Sequence, residues 1–486
     1  RSLIEEIRAK NNPAGIAFPR IEADGYTALG ADGGNTNTIY YQTFAGTLTK
    51  VAGNHSFRFG GEFRLMRENG YNFGNVAPRL VFSSTWARGP LDNSPAAPIG
   101  QGLASLLFGL PTGGNININA SRAEQSTFSG LFIQDDWKVT RRLTLNLGLR
   151  YEYDSPVTER FNRSNRGFDL QTPSPIQEAA RANYARDPIP EVPAANFRTP
   201  GGLTFAGAGG QPRALWAPDR NNFAPRAGVA FQLTPDTVLR SGYGIFFDTL
   251  GLDRRGVNQG GFNQPTNVIP SLDNGLTFRA TLSNPFPDGL DAPLGAARGL
   301  RTFLGRGVGF FYGTPPYPYI QRWSFSVQRK LLRQTLLEVA YIGTRGSHLG
   351  VSREFDAVPQ EFLSTSPVRD QRIIDLLSAQ VANPFFGIAE FAGTPLGNQR
   401  VSRGQLLRPY PHFTDIAANL PAGSSTYHSL QVSVEKRLSK GFTLQSAWTW
   451  SKFLEATAYL NDTDPAPERV VSSQDYPHRF VVSAIY

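Results

Sequence analysis

The sequence predicts an all-β protein: an antiparallel transmembrane β-barrel, partial, with short periplasmic turns and long extracellular loops. Three observations carry this. Apolar and polar residues alternate with a period of two over several segments, the pattern of a strand with two unlike faces. Those segments come in pairs joined by turns of about three residues, whereas the links between pairs run from roughly 25 to 80, far above the usual connection. Finally, mean hydropathy is −0.30, and no stretch approaches the ~18 consecutive apolar residues of a membrane helix. Half-apolar strands with one-sided loop lengths are what an outer-membrane barrel shows.

The first pair is 38–51 and 57–65 around Ala52-Gly53-Asn54, with Phe57, Phe59, Phe63 and Leu65 set against Arg58, Glu62 and Arg64. The second, 129–139 and 143–153 around Thr140-Arg141-Arg142, holds the cleanest alternation. Leu143, Leu145, Leu147, Leu149, Tyr151 and Tyr153 point one way, and Thr144, Asn146, Gly148, Arg150 and Glu152 the other. The third pair is 223–233 and 238–248 around Thr234-Pro235-Asp236. The fourth starts at Trp323, Phe325 and Val327 and returns through 335–343 after Leu332-Arg333-Gln334. In the fifth, Leu430, Val432 and Val434 lead through Ser439-Lys440-Gly441 to Phe442, Leu444, Trp448 and Trp450. A last strand begins at 479. About eleven strands of roughly 9–12 residues result, long enough to cross a bilayer when tilted.

Links rich in Pro, Gly, Asn and Asp, such as Asp187-Pro188-Ile189-Pro190 and Gly313-Thr314-Pro315-Pro316, read as loops. Within them, 370–382 has a helical pattern and 102–110 is an apolar run. Trp137, Tyr151, Tyr153, Trp448, Trp450 and Tyr486 stand near strand ends, where aromatic girdles belong.

Composition narrows the function classes. The 486 residues, ample for about three soluble domains, are accounted for instead by one barrel region, 36–486, preceded by an extracellular loop or lead-in, 1–35. Glycine (49) and proline (36) favour many turns over long helices. Cysteine is absent, which removes disulfides and thiolate chemistry. The net charge of +9 is spread without a dense basic run, so no nucleic-acid partner is expected.

Asp135 and Asp136 are adjacent on a strand and so face opposite sides; they read as a charged rim at the periplasmic end. His55, His348, His412, His428 and His478 lack metal-ligand spacing. Gly305-Arg306-Gly307-Val308-Gly309 and Gly207-Ala208-Gly209-Gly210 are not set between a strand and a helix as a phosphate cradle needs. Asp273, Asp288, Asp291, Asp462 and Asp464 lack EF-hand order and read as solvated loop acids. No nucleophile elbow occurs, and Asn162-Arg163-Ser164 carries no glycan in a bacterial outer membrane. The expectation is no enzyme, no cofactor, no metal, and ligand-binding residues that the sequence does not identify.

The run Phe128-Ser129-Gly130-Leu131-Phe132-Ile133-Gln134-Asp135-Asp136-Trp137-Lys138-Val139-Thr140, followed by Leu143-Thr144-Leu145-Asn146-Leu147-Gly148-Leu149-Arg150-Tyr151-Glu152, resembles barrel segments of TonB-dependent outer-membrane receptors, most of all their Oar-like branch. Further matches are His55-Ser56-Phe57-Arg58-Phe59-Gly60-Gly61-Glu62-Phe63-Arg64, Leu106-Leu107-Phe108-Gly109-Leu110-Pro111, Asn383-Pro384-Phe385-Phe386-Gly387, Leu406-Leu407-Arg408-Pro409-Tyr410-Pro411, Tyr427-His428-Ser429-Leu430-Gln431-Val432 and Tyr476-Pro477-His478-Arg479-Phe480. They follow the branch's order from about Pro19 onward.

The resemblance implies a barrel of about 22 strands plugged by an N-terminal domain. It also implies a TonB box that engages the TonB–ExbB–ExbD machine, and a carboxypeptidase-regulatory-like sandwich ahead of the plug. None of these is found in the sequence, so an internal fragment of about half a barrel is expected, with energised transport belonging to its parent. A piece with open sheet edges is expected to aggregate or fail to insert alone. The expected partners are outer-membrane lipid and an extracellular ligand that is a glycan, peptide or metal chelate. A passive porin or surface adhesion barrel is the alternative. A soluble β-rich glycan-active enzyme fits less well, because it needs balanced loop lengths and converging carboxylates.

Overall fold

A computed structural model describes residues 18–31, 34–72, 74–75, 77–89, 95, 99–248, 256–272, 275–331, 334–439 and 441–486. Arg1, Asp273, Leu332, Arg333 and Lys440, and 1–17, 32 and 33 of the lead-in, lie outside the described residues.

Eleven long strands form one sheet in chain order: β1 (Asn35–Ala52), β2 (His55–Asn72), β3 (Arg122–Lys138), β4 (Leu143–Asp154), β5 (Phe223–Thr234), β6 (Thr237–Phe247), β7 (Tyr319–Leu331), β8 (Thr335–Glu354), β9 (Ile416–Ser439), β10 (Phe442–Ala456) and β11 (His478–Ile485). Each pairs antiparallel with its neighbour in sequence. Among the described residues, β1 pairs only with β2 and β11 only with β10, so the sheet is an open arc and not a closed barrel.

All five expected hairpins are present, with their short turns at one end. At Gly53 (φ 58) the first turn needs the left-handed backbone that glycine adopts without strain. The strands are longer than the sequence suggested. They reach 18 residues in β1 and β2, 20 in β8 and 24 in β9. Alternation marks only the stretch with unlike faces; beyond it the ladders continue through residues that do not alternate, and in β10 through 451–456, so Trp448 and Trp450 lie inside the strand and not at its end.

Register fixes the faces. Phe59, Ile133, Leu149 and Pro225 are cross-strand neighbours on one face of β2, β3, β4 and β5. The same face continues through Tyr243, Trp323, Gly343 and His428, then through Leu430 and Trp450. Trp323 lies where a Cβ on Gly343 would fall, so an indole covers the bare backbone of the next strand. Nothing described covers this face: Leu131 is 63% exposed, Leu149 44% and Trp450 54%. A sandwich would bury them. A lipid-facing wall leaves them to the acyl chains.

Both rims of this face carry aromatics. At the turn end His55 stacks on Trp137 and Phe57 (5.1 and 5.3 Å). At the loop end Tyr151 packs on Phe223 and Phe247 on Tyr319 (5.0 and 5.6 Å).

The described parts of the lead-in and of the long links hold further elements. Short strands Arg20–Ala23, Arg79–Phe82, Gly113–Ile118 and Gln264–Asn267 form a four-stranded sheet. Asn165–Pro173 pairs with Pro200–Phe205, and Gln380–Ala382 with Arg400–Ser402. The apolar run becomes helix α1 (Gln101–Leu107), and α2 (Gln177–Tyr184) lies in the second link. The helical pattern after 370 becomes α3 (Gln371–Ser378), whose first turn is capped by Asp370 accepting from the Ile373 N–H (3.3 Å).

Candidate functional site

The second, third and fourth links meet at the loop end and share one core. Tyr184, Phe197, Leu203 and Phe205 of the second link are buried with Leu304 and Val308 of the third and Phe385, Phe391, Val401, Leu406 and Phe413 of the fourth. Tyr184 stacks on Phe197 (4.1 Å), Phe385 on Phe391 (4.8 Å), and Phe413 meets Phe168 edge-on (5.4 Å). A second core joins Leu80, Phe82 and Ile116 of the first link to Val268 and Phe286 of the third. A third, around Trp216 and Tyr317, anchors the loops to the wall. There the Tyr317 hydroxyl donates to the Asp154 carbonyl and accepts from the Asp154 N–H. Segments far apart in sequence thus bury apolar surface together, and the loops form a cap.

Between the third and fourth links the cap holds a cleft of about 460 Å³. Arg298, Arg301 and Arg306 line it, with Asp291 and Glu390 as the acids, and Arg301 pairs with Glu390 at 3.5 Å. Sequence reasoning missed this cleft. Its arginines sit in a Gly/Ala-rich segment without periodicity, and its wall at Glu390 comes from a different link.

The wall's other face is polar. Arg150 binds Glu62 and Glu152, Glu62 also accepts from Arg64, and Arg64 lies over the Phe128 ring at 4.9 Å. Nearer the turns, Asp136 accepts from Asn146 (2.6 Å) and Arg58 (3.1 Å). Cross-linked charge on one face and bare Leu and Phe on the other is the division expected of a lumen and a lipid surface.

Of the residues singled out for chemistry, Asp291 and Arg306 line the cleft in the cap; the others do not converge. Asp135 turns to the His55 Nδ1 (2.7 Å) on the lipid-facing side, and Asp136 to Arg58 on the lumen side. His428 bonds the Tyr341 hydroxyl (2.7 Å), His478 stacks on Trp448, and His348 stands edge-on to Tyr319. Asp288 pairs with Arg279 (2.8 Å), and Asp464 accepts from the Asn461 N–H (2.8 Å). Asn162, from the Asn-x-Ser triplet, holds Arg213. Gly207 and Gly305 have positive φ in loops. Among the described residues no three His, Asp or Glu side chains are grouped to hold a metal ion.

His412 is fully buried in the cap core. Burial holds its imidazole down at about 3, and the Gly201 backbone offsets this only in part. Asp356, equally inaccessible, is pushed up to about 8 by burial despite Arg408. The signs oppose. Below the ordinary histidine value of 6.5 the unfolded chain binds the extra proton, so His412 weakens the cap as pH falls, by about 1.4 kcal/mol per pH unit. Between 3.8 and about 8 the folded state holds Asp356's proton, so that residue weakens the cap as pH rises. The two slopes cancel from 3.8 to 6.5. Cap stability, followed by loop-amide hydrogen exchange, is expected to be flat there and to fall on either side. Asp356→Asn is expected to unmask the acid loss below 6.5; a flat profile in that variant contradicts the His412 assignment.

Among the described residues, a meander of eleven long strands with a bare apolar outer face, aromatic rims, a charged inner face and its long loops at one end defines an outer-membrane β-barrel. The chain belongs to the outer membrane beta barrel domain family, whose model matches residues 3–486. This is a membrane-barrel family, not an enzyme family, and it places the chain in the outer membrane.

Among solved structures the chain is similar to the outer membrane transporter YddB of Escherichia coli, with 10% identity over 93% of this chain and 40% of that one, TM-score 0.43. It is also similar to the ferripyoverdine receptor of Pseudomonas aeruginosa, with 8% identity, 93% and 35% coverage and TM-score 0.37. The ferric yersiniabactin uptake receptor FyuA of Yersinia pestis gives 7%, 93%, 40% and 0.36. The chain therefore spans two fifths or less of each of these chains, and likeness at this level carries no functional argument. No curated protein matches.

Proposed function

We propose that the chain is the barrel region of a TonB-dependent, Oar-like receptor whose loop cap captures an extracellular glycan, peptide or metal chelate. In this reading 36–486 is part of the barrel and 1–35 an extracellular loop or lead-in. The whole protein moves the ligand inward with energy from TonB–ExbB–ExbD, delivered through a plug. The observation that carries the reading is the shared core of three links, because loops that pack on one another present a preformed surface and need little ordering when a ligand binds. The cleft between the third and fourth links is the proposed capture point, and the sequence resemblance supports the energised step.

The test offers labelled oligosaccharides, peptides and ferric chelates to cells with and without the gene. Protein-dependent accumulation that a protonophore abolishes is expected. Accumulation that persists marks a passive porin, and surface binding without accumulation marks an adhesion barrel. For the ligand so found, Arg301→Glu is expected to weaken binding at least about tenfold, the scale of one lost charge-assisted contact. An unchanged affinity moves the capture point elsewhere.

A further inference from the structure

A second basic cleft, of about 530 Å³, lies on the other side of the wall, where β2 and β3 rise above the apolar band. Its position follows from register. Arg67 of β2 stands beside Gln125 of β3, and Gln125 beside Thr158 of the short strand Thr158–Glu159. Cross-strand neighbours share a face, and along β2 that face is the one bearing Phe57, Phe59, Phe63 and Leu65. Arg160, in the turn that follows this strand, lines the same cleft. From the turn, His55 to Leu65 is about the 9–11 residues that cross a bilayer; Arg67 is the next outward residue. The cleft thus opens sideways at headgroup height and not into the lumen.

Three arginines line it: Arg67, Arg160 and Arg213. They are placed, not loose. Arg67 donates Nε to the Gln125 Oε1 (2.8 Å), and Arg213 donates to the Asn162 Oδ1 (2.7 Å) and the Glu159 carbonyl (3.0 Å). Among the described residues Glu124 is the one acid that lines the cleft, and its carboxylate and that of Glu159 are engaged elsewhere. Glu124 turns to Arg122 (2.8 Å), and Glu159, fully buried, accepts the N–H groups of Ala123, Phe161 and Arg163. Beside the cleft, Phe161 is 53% exposed between the guanidiniums of Arg160 and Arg163, at 5.4 and 4.7 Å from its ring. An aromatic ring flanked by cations is the composition of a lipid interface.

We propose that this cleft binds a phosphate group carried by a phosphorylated glycolipid of the outer leaflet, the arginines holding the phosphate while Leu65, Phe63 and Leu131 below them meet its acyl chains. Planar guanidiniums bind phosphate oxygens in pairs, and the continuity of cleft and apolar band selects a lipid-borne phosphate over a free one. The site concerns the membrane and not the captured ligand. It rests on the barrel's orientation, not on transport, so either can fail without the other.

The test uses the protein extracted from outer membranes in mild detergent, with co-purifying glycolipid counted by native mass spectrometry. The triple variant Arg67→Gln, Arg160→Gln, Arg213→Gln is expected to retain at least about tenfold less glycolipid. Arg141→Gln with Arg142→Gln, at the turn end, is expected to retain the wild-type amount. Arg67→Gln alone, which removes one side-chain hydrogen bond from a strand surface, is expected to show a partial loss with an unchanged melting temperature. Delipidated protein is then offered phosphatidylcholine vesicles doped with lipid A, the same vesicles with dephosphorylated lipid A, and inorganic phosphate. Preference for the phosphorylated vesicles supports the proposal. Wild-type retention by the triple variant overturns it, as does inorganic phosphate that binds as tightly and displaces the lipid.

Discussion

Replacing Leu149 by arginine is expected to cost the membrane-embedded sheet about 2–4 kcal/mol, the scale for a cation placed on a barrel's lipid face near the midplane. Leu149 is the seventh residue of β4, 44% exposed, with Ile133 and Pro225 as its cross-strand neighbours. No acid stands beside it to neutralise a guanidinium, unlike Leu147, which faces Asp135. The contrasting substitution is Gln431→Arg on the polar face, between Ala340 and Thr449. Water in the lumen solvates the new charge, so the cost is expected to stay under about 1 kcal/mol. Urea unfolding of the protein in vesicles separates the two. Equal costs would mean that the faces are not lipid and water.

Phe413→Ala is expected to destabilise the cap by about 3–5 kcal/mol while leaving the wall intact. Its ring is fully buried against Phe168 and His412, and removing a buried aromatic leaves a cavity that its surroundings fill only in part. The shared core joins three links, so the loss is expected to spread. Amides of the second and third links should exchange faster and protease should cut in them, whereas strand amides should keep their protection. Faster exchange confined to the fourth link would mean that each link is ordered by itself.

The wall was legible in the sequence because a strand with lipid on one side and water on the other must alternate. The span from Leu143 to Tyr153 announces β4 almost residue for residue, and the short turns announce the hairpins. What escaped was governed by contacts far apart in sequence. The lower stretch of β3 alternates, but its upper stretch, from Arg122 to Thr127, is largely polar on both sides and carries no alternation to mark it as strand. Phe385 and Phe391 were visible as apolar residues in a Pro- and Gly-rich link. Their partner Phe197, about 190 residues earlier, has no local signal pointing to it. The two arginine clefts escaped for the same reason. Arg67 lies on β2 and Arg160 and Arg213 lie in the second link; the register of β3 and the bridge between Thr158 and Ala214 bring the three residues to one cleft.

The central claim is that one face of this sheet meets lipid. The absence of cysteine allows single cysteines to be introduced and nitroxide-labelled along β4, from 143 to 154, in the membrane-inserted protein. Collision rates with oxygen, which partitions into acyl chains, and with a water-soluble nickel chelate are then read at each position. The account predicts oxygen maxima at 145, 147, 149 and 151 and nickel maxima at 144, 146, 148 and 150. A scan without a period of two, or one in which 145, 147 and 149 are shielded from both reagents as beneath a second sheet, would contradict it.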